Sequence, residues 1–343
     1  MLVRFTNTLL LALVAVLTLT GLYGLVWPFP GWLFDVHRVA GWSLIALIPW
    51  KAVISLRSLR RGLQPRFDRG VVVVVSLLLA AATVFVLALG VMWAWRLGPE
   101  LLWLGGYADT AISWHWMIAL GLLPPFALHA WRRWPRPKRA DFLSRRSALK
   151  LMALGAAGAV GWGLAEYLAS VRADASAPRR FTGSREQGSF TGNRLPITNS
   201  LGEGKIKLAA ETWRLTVGGA AENPLTLTYA ELLALDAEEM TATLDCTTGW
   251  YSTQKWRGLP LFDLLARARI APSAGAVRLR AASGYAMDFP LSEAREILLA
   301  THVGGEVLDH WHGFPLRAVV PSRRGWFWVK WITAVEVLAQ PHA

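Results

Sequence analysis

The sequence predicts a multi-domain protein, an all-α transmembrane helix bundle at the N-terminus followed by an α+β domain, and three observations carry that reading. With 54% hydrophobic residues and 19 tryptophans among 343, the chain is more apolar than a soluble protein of this length. Residues 51–70 and 131–150 contribute +5 and +7, so +12 of the net charge of +13 lies in two short segments, as in loops joining membrane spans. Beyond residue 194, period-2 runs alternate with short helices and no regular βαβ repeat, which is an α+β pattern. Charge confined to two loops excludes a basic nucleic-acid-binding face.

Phe5 to Trp27 is an uncharged run long enough to cross a bilayer, closed by Pro28, Pro30 and Gly31. Val71 to Trp95 is a second such run. Residues 36–56 and 111–131 are less apolar, but the charged loops between them require an even number of crossings. Residues 1–135 are therefore read as a four-helix membrane domain. Ala148 to Val171 adds a fifth span within residues 136–172, and the apolar start is too long for a cleaved leader. Gly155, Ala159 and Gly163 recur every four residues, a small-residue face for a neighbouring helix. The positive-inside rule puts the N-terminus and both basic loops in the cytoplasm and everything after residue 172 outside. Ser144-Arg145-Arg146-Ser147-Ala148-Leu149-Lys150 precedes the fifth span and resembles a twin-arginine export signal; a plain basic flank is the alternative.

Histidine inside a membrane is costly, so His37, His115 and His129 bear on function. His37 starts the second span and His115 lies about one turn into the fourth, both at the outer level, where two facing imidazoles suit the iron of a b-type haem. The alternative is a pair of hydrogen-bonded interfacial histidines. His129 is 14 residues after His115, near the same helix face, and the residue 14 after His37 is Lys51. Asp35-Val36-His37-Arg38-Val39-Ala40-Gly41 and Trp114-His115-Trp116 with His129 resemble the small four-helix di-haem cytochrome b family. The departure at Lys51 leaves one expected haem, held by His37 and His115. Trp27, Trp32, Trp93, Trp95, Trp103, Trp114 and Trp116 read as interfacial anchors.

Residues 173–194, rich in Ser, Gly, Arg and Ala, read as a linker, and residues 195–343 as the outer domain. Trp213, Leu215 and Val217 alternate as a strand. Thr228 with Glu231 forms a capping box for a helix through Leu235, and Pro260 opens a helix through Ile270. Val277, Leu279 and Ala281 alternate, as do Phe314, Leu316, Ala318 and Val320. Ser292 caps a helix ending near Thr301. Of Trp326, Phe327, Trp328 and Trp331, two are expected in the core.

Cys246 is the single cysteine, which excludes a disulfide framework and a cysteine-rich zinc site. A lone thiol is either a small buried hydrophobe or a nucleophile or soft ligand. Ala242, Leu244 and Cys246 alternate as a strand that Thr247 to Gly249 ends, so the thiol is placed at a strand end beside a tight turn. Cys246-Thr247-Thr248-Gly249-Trp250, Trp256-Arg257-Gly258-Leu259-Pro260-Leu261, His312-Gly313-Phe314-Pro315-Leu316-Arg317 and Gly325 to Val329-Lys330-Trp331 together resemble the molybdopterin-binding domain of the sulfite oxidase family, over roughly residues 181–338. The resemblance implies a sulfite-oxidase-type α+β fold, a molybdenum-molybdopterin cofactor with Cys246 as the molybdenum ligand, and Asn199, His312, Arg317 and Lys330 as pterin contacts. Without it, Arg317 and Lys330 read as surface charges.

Sulfite-oxidising members carry arginines shortly after the cysteine, and this chain has Thr247-Thr248-Gly249-Trp250-Tyr251-Ser252. Trp250 is closer to the periplasmic methionine sulfoxide reductase catalytic subunits, whose acidic residue two after the cysteine is Thr248 here. Arg323 and Arg324 remain as candidates to attract an anion. The expected function is oxo transfer on a small molecule at the periplasmic face of a bacterial inner membrane, with S-oxide or N-oxide reduction favoured and electrons exchanged through haem b with the quinone pool. Sulfite oxidation and a non-catalytic electron-transfer module are the alternatives.

Overall fold

The structure is a computed structural model that describes residues 2–27, 31–62, 67–95, 97–98, 101–104, 107–133, 144–172, 180–198, 204–235 and 237–339. It divides into two compact units, one holding the five long helices and the other the chain from Ser184 on.

In the helical unit, α1 (Leu2–Val26), α2 (Gly31–Gly62), α3 (Phe67–Trp95), α4 (Ala111–Arg133) and α5 (Arg145–Arg172) coincide with the five expected spans. All five are long and apolar enough to cross a membrane. A short hairpin, β1 (Leu102–Leu104) with β2 (Tyr107–Asp109), joins α3 to α4. Its Leu102 carbonyl accepts from the Trp114 indole at 2.9 Å, which fixes the hairpin on the start of α4. Leu10, Leu44 and Leu47 form a buried apolar centre with Leu87 and Leu154 against them.

The small-residue face of α5 differs from the expected one. A Cβ on Gly158 would lie 2.1 Å from Ser43 Oγ and 2.7 Å from the Val39 carbonyl, and one on Gly161 would meet Trp42 at 3.3 Å. Gly155 and Gly163 face open space. The packed face is Leu154, Gly158, Gly161 and Ala165, spaced alternately by four and three, because 3.6 residues per turn carry a strict four-residue repeat off the contact line. Ser144 Oγ accepts from the Ser147 backbone N–H at 3.1 Å, the bond an N-cap makes, so Arg145 and Arg146 open α5.

The second unit holds two sheets. The chain runs through β3 (Arg185–Glu186), β4 (Arg214–Gly219), β5 (Leu225–Thr228), α6 (Tyr229–Leu233), β6 (Glu238–Asp245), β7 (Trp250–Pro260), α7 (Leu261–Arg267), β8 (Ala274–Ala281), β9 (Ala286–Pro290), β10 (Leu298–Val303), β11 (Glu306–Val307), β12 (Arg317–Val319) and β13 (Ile332–Ala339). One sheet has the order β5-β4-β13-β8-β9, with β4 and β13 parallel. The other runs β11-β10-β7-β3, with β12 beside β10 and β6 beside β7. Between them lies a core that includes Trp256, Phe289, Leu215, Leu244 and Leu279. The capping box of Thr228 and Glu231 is present, and α7 starts after Pro260.

Three expectations change. Residues 184–194 are not all linker: β3 pairs in parallel with β7, and a 3-10 turn covers Gly192–Arg194, pairings that local composition does not reveal. The helix expected from Ser292 to Thr301 is one 3-10 turn, Ala294–Glu296, followed by the strand β10. Leu298, Leu299 and Ala300 are all buried, since β10 lies between β7 and β12, so the run is apolar on both faces without alternation. The strand expected over 314–320 shortens to Arg317–Val319, because a turn through Gly313 occupies its start.

Candidate functional site

Cys246 follows the end of β6. Its N–H donates to the Trp250 carbonyl at 2.8 Å and its carbonyl accepts from Gly249 N–H at 3.1 Å, and Gly249, at φ 95°, reverses the chain into β7. The thiol is buried, and Thr248 Oγ1 lies 3.1 Å from its sulfur. Burial pushes the thiol above its ordinary pKa, opposed by the Thr248 hydrogen bonds and by Arg324.

The residues flanking the thiol form a partly compensated charge network that sequence reasoning missed. Arg324 donates from Nη2 to the Cys246 carbonyl at 3.0 Å and from Nε to the Asp245 carbonyl at 3.3 Å, with the Asp245 carboxylate 3.4 Å away. Ser184 Oγ donates to Asp245 Oδ1 at 2.6 Å, and Arg180 lies 3.8 Å from Oδ2. Arg323 pairs through two nitrogens with Glu293. The two arginines expected to attract an anion are thus both paired with carboxylates, Arg323 with Glu293 through hydrogen bonds and Arg324 with Asp245 at 3.4 Å. Gly325 continues this loop against Cys246; a Cβ on it would stand 3.4 Å from Cys246 Cα.

The far end of the same loop reaches a second cluster. Gly313, at φ 105°, sits between Arg317 and Lys330, and a Cβ there would lie 3.1 Å and 3.0 Å from theirs. His312 Nε2 donates to the Asn193 carbonyl at 2.9 Å, and burial, then Arg317, lower its pKa to about 4. Lys330 Nζ donates to the Thr198 carbonyl at 2.6 Å and lies over the Trp331 ring. Asn199, the next residue, is outside the described residues. Trp328 and Trp331 are core, as two of the four aromatics were expected to be.

Arg317 is the decisive member. Its side chain is 0% exposed, stacked over Trp256 and Trp328, with Nη1 donating to the His312 carbonyl at 3.0 Å. Nε and Nη2 are buried with no hydrogen-bond partner among the described residues. Burial lowers its pKa to about 9, so it stays charged at neutral pH. A buried cation with two idle donors is costly unless an anion meets it. The set fits a phosphate-bearing cofactor, with Cys246 as a soft donor at the other end of the loop. Among the described residues no three His, Cys, Asp or Glu side chains gather to hold an ion.

The family described as oxidoreductase molybdopterin binding domain matches residues 203–343. An uncharacterized oxidoreductase, YuiH, of Bacillus subtilis is 32% identical over 133 residues, 38% of this chain and 67% of the relative. The chain belongs to the molybdopterin oxidoreductases of the sulfite oxidase family. Mitochondrial sulfite oxidase of Mus musculus is 33% identical over 180 residues, 43% of this chain, which spans 32% of that protein. The protein-methionine-sulfoxide reductase catalytic subunit MsrP of Gluconobacter oxydans is 29% identical over 249 residues, 60% of this chain and 75% of that one. The molybdopterin domain implies a molybdenum cofactor.

A further pair lies in the helical unit. The His37 and His115 rings have centroids 6.4 Å apart with planes at 73°. His115 Nδ1 is 2.7 Å from the Val86 carbonyl, and His37 Nδ1 is 2.7 Å from Thr20 Oγ1. At the other level Lys51 Nζ donates to Asn7 Oδ1 at 2.8 Å.

Proposed function

We propose that this protein is a membrane-anchored oxidoreductase that transfers an oxygen atom and two electrons at its molybdopterin domain, on the periplasmic side of a bacterial inner membrane. The observation that carries the reading is the buried Arg317 guanidinium with two idle donors. Arg317 and Lys330 would hold the pterin phosphate with His312 beside them, Cys246 would ligate molybdenum, and Asn199, outside the described residues, is proposed as a further pterin contact. When bound, the cofactor supplies a metal that exchanges oxygen with substrate. The chain's own residues fix the thiol: Arg324 clamps the Asp245 and Cys246 carbonyls, and the turn closed by Trp250 holds the sulfur at the strand end.

We favour an S-oxide or N-oxide as substrate. Arg180 and Arg324 share the Asp245 carboxylate and Arg323 pairs with Glu293, so one net positive charge is left beside the thiol instead of the three that the arginines alone would give, which suits a neutral S-oxide or N-oxide better than a sulfite dianion. Sulfite oxidation is the second reading, and the likeness to the mitochondrial sulfite oxidases favours it.

His37 and His115 would hold one b haem, which when bound would supply one-electron chemistry between the molybdopterin domain and the quinone pool. The two rings come from different helices and stand with centroids 6.4 Å apart, which supports their sharing one iron. Arg145 and Arg146 serve as an export signal for a domain that folds around its cofactor in the cytoplasm. Turnover by the purified full-length protein tests the substrate: reduction of methionine S-oxide by a reduced dye is expected to exceed sulfite-dependent dye reduction, and the reverse ranking contradicts the reading.

A further inference from the structure

We infer that Thr248 is a positioning residue that sets the reduction potential of the molybdenum centre through a hydrogen bond to the Cys246 sulfur. The inference rests on the reading that Cys246 ligates the metal. The turn at Thr247-Thr248-Gly249 is closed by two backbone hydrogen bonds, Cys246 N–H to the Trp250 carbonyl at 2.8 Å and Gly249 N–H to the Cys246 carbonyl at 3.1 Å. That closure folds the Thr248 side chain back on the strand end, with Oγ1 3.1 Å from Sγ. A free thiol and a hydroxyl each carry a proton, but a sulfur bound to a metal has lost its own, so the hydroxyl becomes the donor.

Arg324, the cation beside the turn, spends its recorded hydrogen bonds on the Asp245 and Cys246 carbonyls rather than on the sulfur. Among the described residues, Thr248 provides the side-chain hydrogen bond recorded at Sγ. A donor on a ligating thiolate withdraws electron density from the metal and favours its reduced state, the same lever by which hydrogen bonds to sulfur tune other thiolate-bound metals. Thr248 occupies a position two residues after the ligand, so its hydroxyl follows the sulfur whenever the turn is intact. Its methyl group and hydroxyl can be separated experimentally, because valine keeps the shape and loses the donor.

Thr248→Val, Thr248→Ala and Thr248→Ser in the full-length protein test this, with molybdenum content measured alongside the Mo(VI)/Mo(V) midpoint potential from a redox titration followed by EPR. Thr248→Val is expected to retain molybdenum and shift the midpoint to more negative potential, with Thr248→Ser staying at the wild-type value. Thr248→Ala gives the same negative shift and serves if valine hinders loading. A wild-type midpoint in the variants that lack the hydroxyl, or an equal shift in Thr248→Ser, overturns the inference. Failure of the underlying reading has a different signature: wild-type protein without molybdenum, or a Cys246→Ser variant whose Mo(V) spectrum is unchanged, overturns the ligand assignment and this inference together.

Discussion

Thr20 Oγ1 lies 2.7 Å from His37 Nδ1, and the same hydroxyl is 2.6 Å from the Val16 carbonyl. A carbonyl only accepts, so the threonine proton goes to Val16 and the hydroxyl oxygen receives the imidazole N–H. His115 Nδ1 likewise faces the Val86 carbonyl and carries a proton there. Both rings are thereby fixed with Nε2 as the bare nitrogen, the tautomer an iron ligand needs.

One bis-histidine b haem per chain is the expected outcome, measured by pyridine haemochrome against protein concentration. His37→Ala and His115→Ala lose it, whereas His129→Ala keeps it, because Lys51 at the level of His129 is bonded to Asn7. Two haems in the wild type would show that the pairing is wrong.

Arg317→Met should separate binding from folding. Loss of charge-assisted hydrogen bonds to the phosphate is expected to lower bound pterin about tenfold or more, read by fluorescence of the released pterin. In protein produced without cofactor the same change removes a buried cation with idle donors, so its melting temperature is expected to rise. A cofactor-free variant that melts lower, with pterin binding intact, would make Arg317 a structural residue.

His312 gives a pH dependence with a definite sign. Its folded pKa of about 4 is below the ordinary 6.5, so the unfolded chain binds the proton more readily in between. The contribution of neutral His312 to stability is complete above about 6.5 and is lost as pH falls towards 4. Melting temperatures between pH 7.5 and 4.5 should therefore fall more in the wild type than in His312→Gln. Parallel curves would remove the assignment.

In α5, Gly158→Leu is expected to destabilise the helical unit by about 1–3 kcal/mol or more, with Gly155→Leu and Gly163→Leu close to neutral. Thermal melts in detergent distinguish the two faces, and equal losses at all three positions would reject the packing assigned to Gly158.

Where one residue's neighbours in sequence decide its structure, the chain was readable: the five apolar runs, the Thr228–Glu231 capping box and the strand ending at Cys246 all appear as expected. Leu298-Leu299-Ala300 was not, because a strand buried on both faces has no alternation to distinguish it from a helix. The partners of Arg323 and Arg324 depend on Glu293 and Asp245 meeting them in the fold, and no local pattern announces that. Asn193 and Thr198 were missed for a related reason: they contact His312 and Lys330 through backbone carbonyls, which any residue type supplies. The thiol contact of Thr248 had a local signal, since a tight turn two residues after a strand end brings that side chain back on the sulfur.

The most direct measurement of the central claim is turnover and Mo(V) EPR of Cys246→Ser in the full-length protein, with folding checked by melting temperature. A hydroxyl is a harder and poorer donor than a thiolate, so a folded protein with turnover abolished and an altered Mo(V) spectrum is the predicted result. Wild-type turnover with an unchanged spectrum would contradict the assignment of Cys246 as the metal ligand.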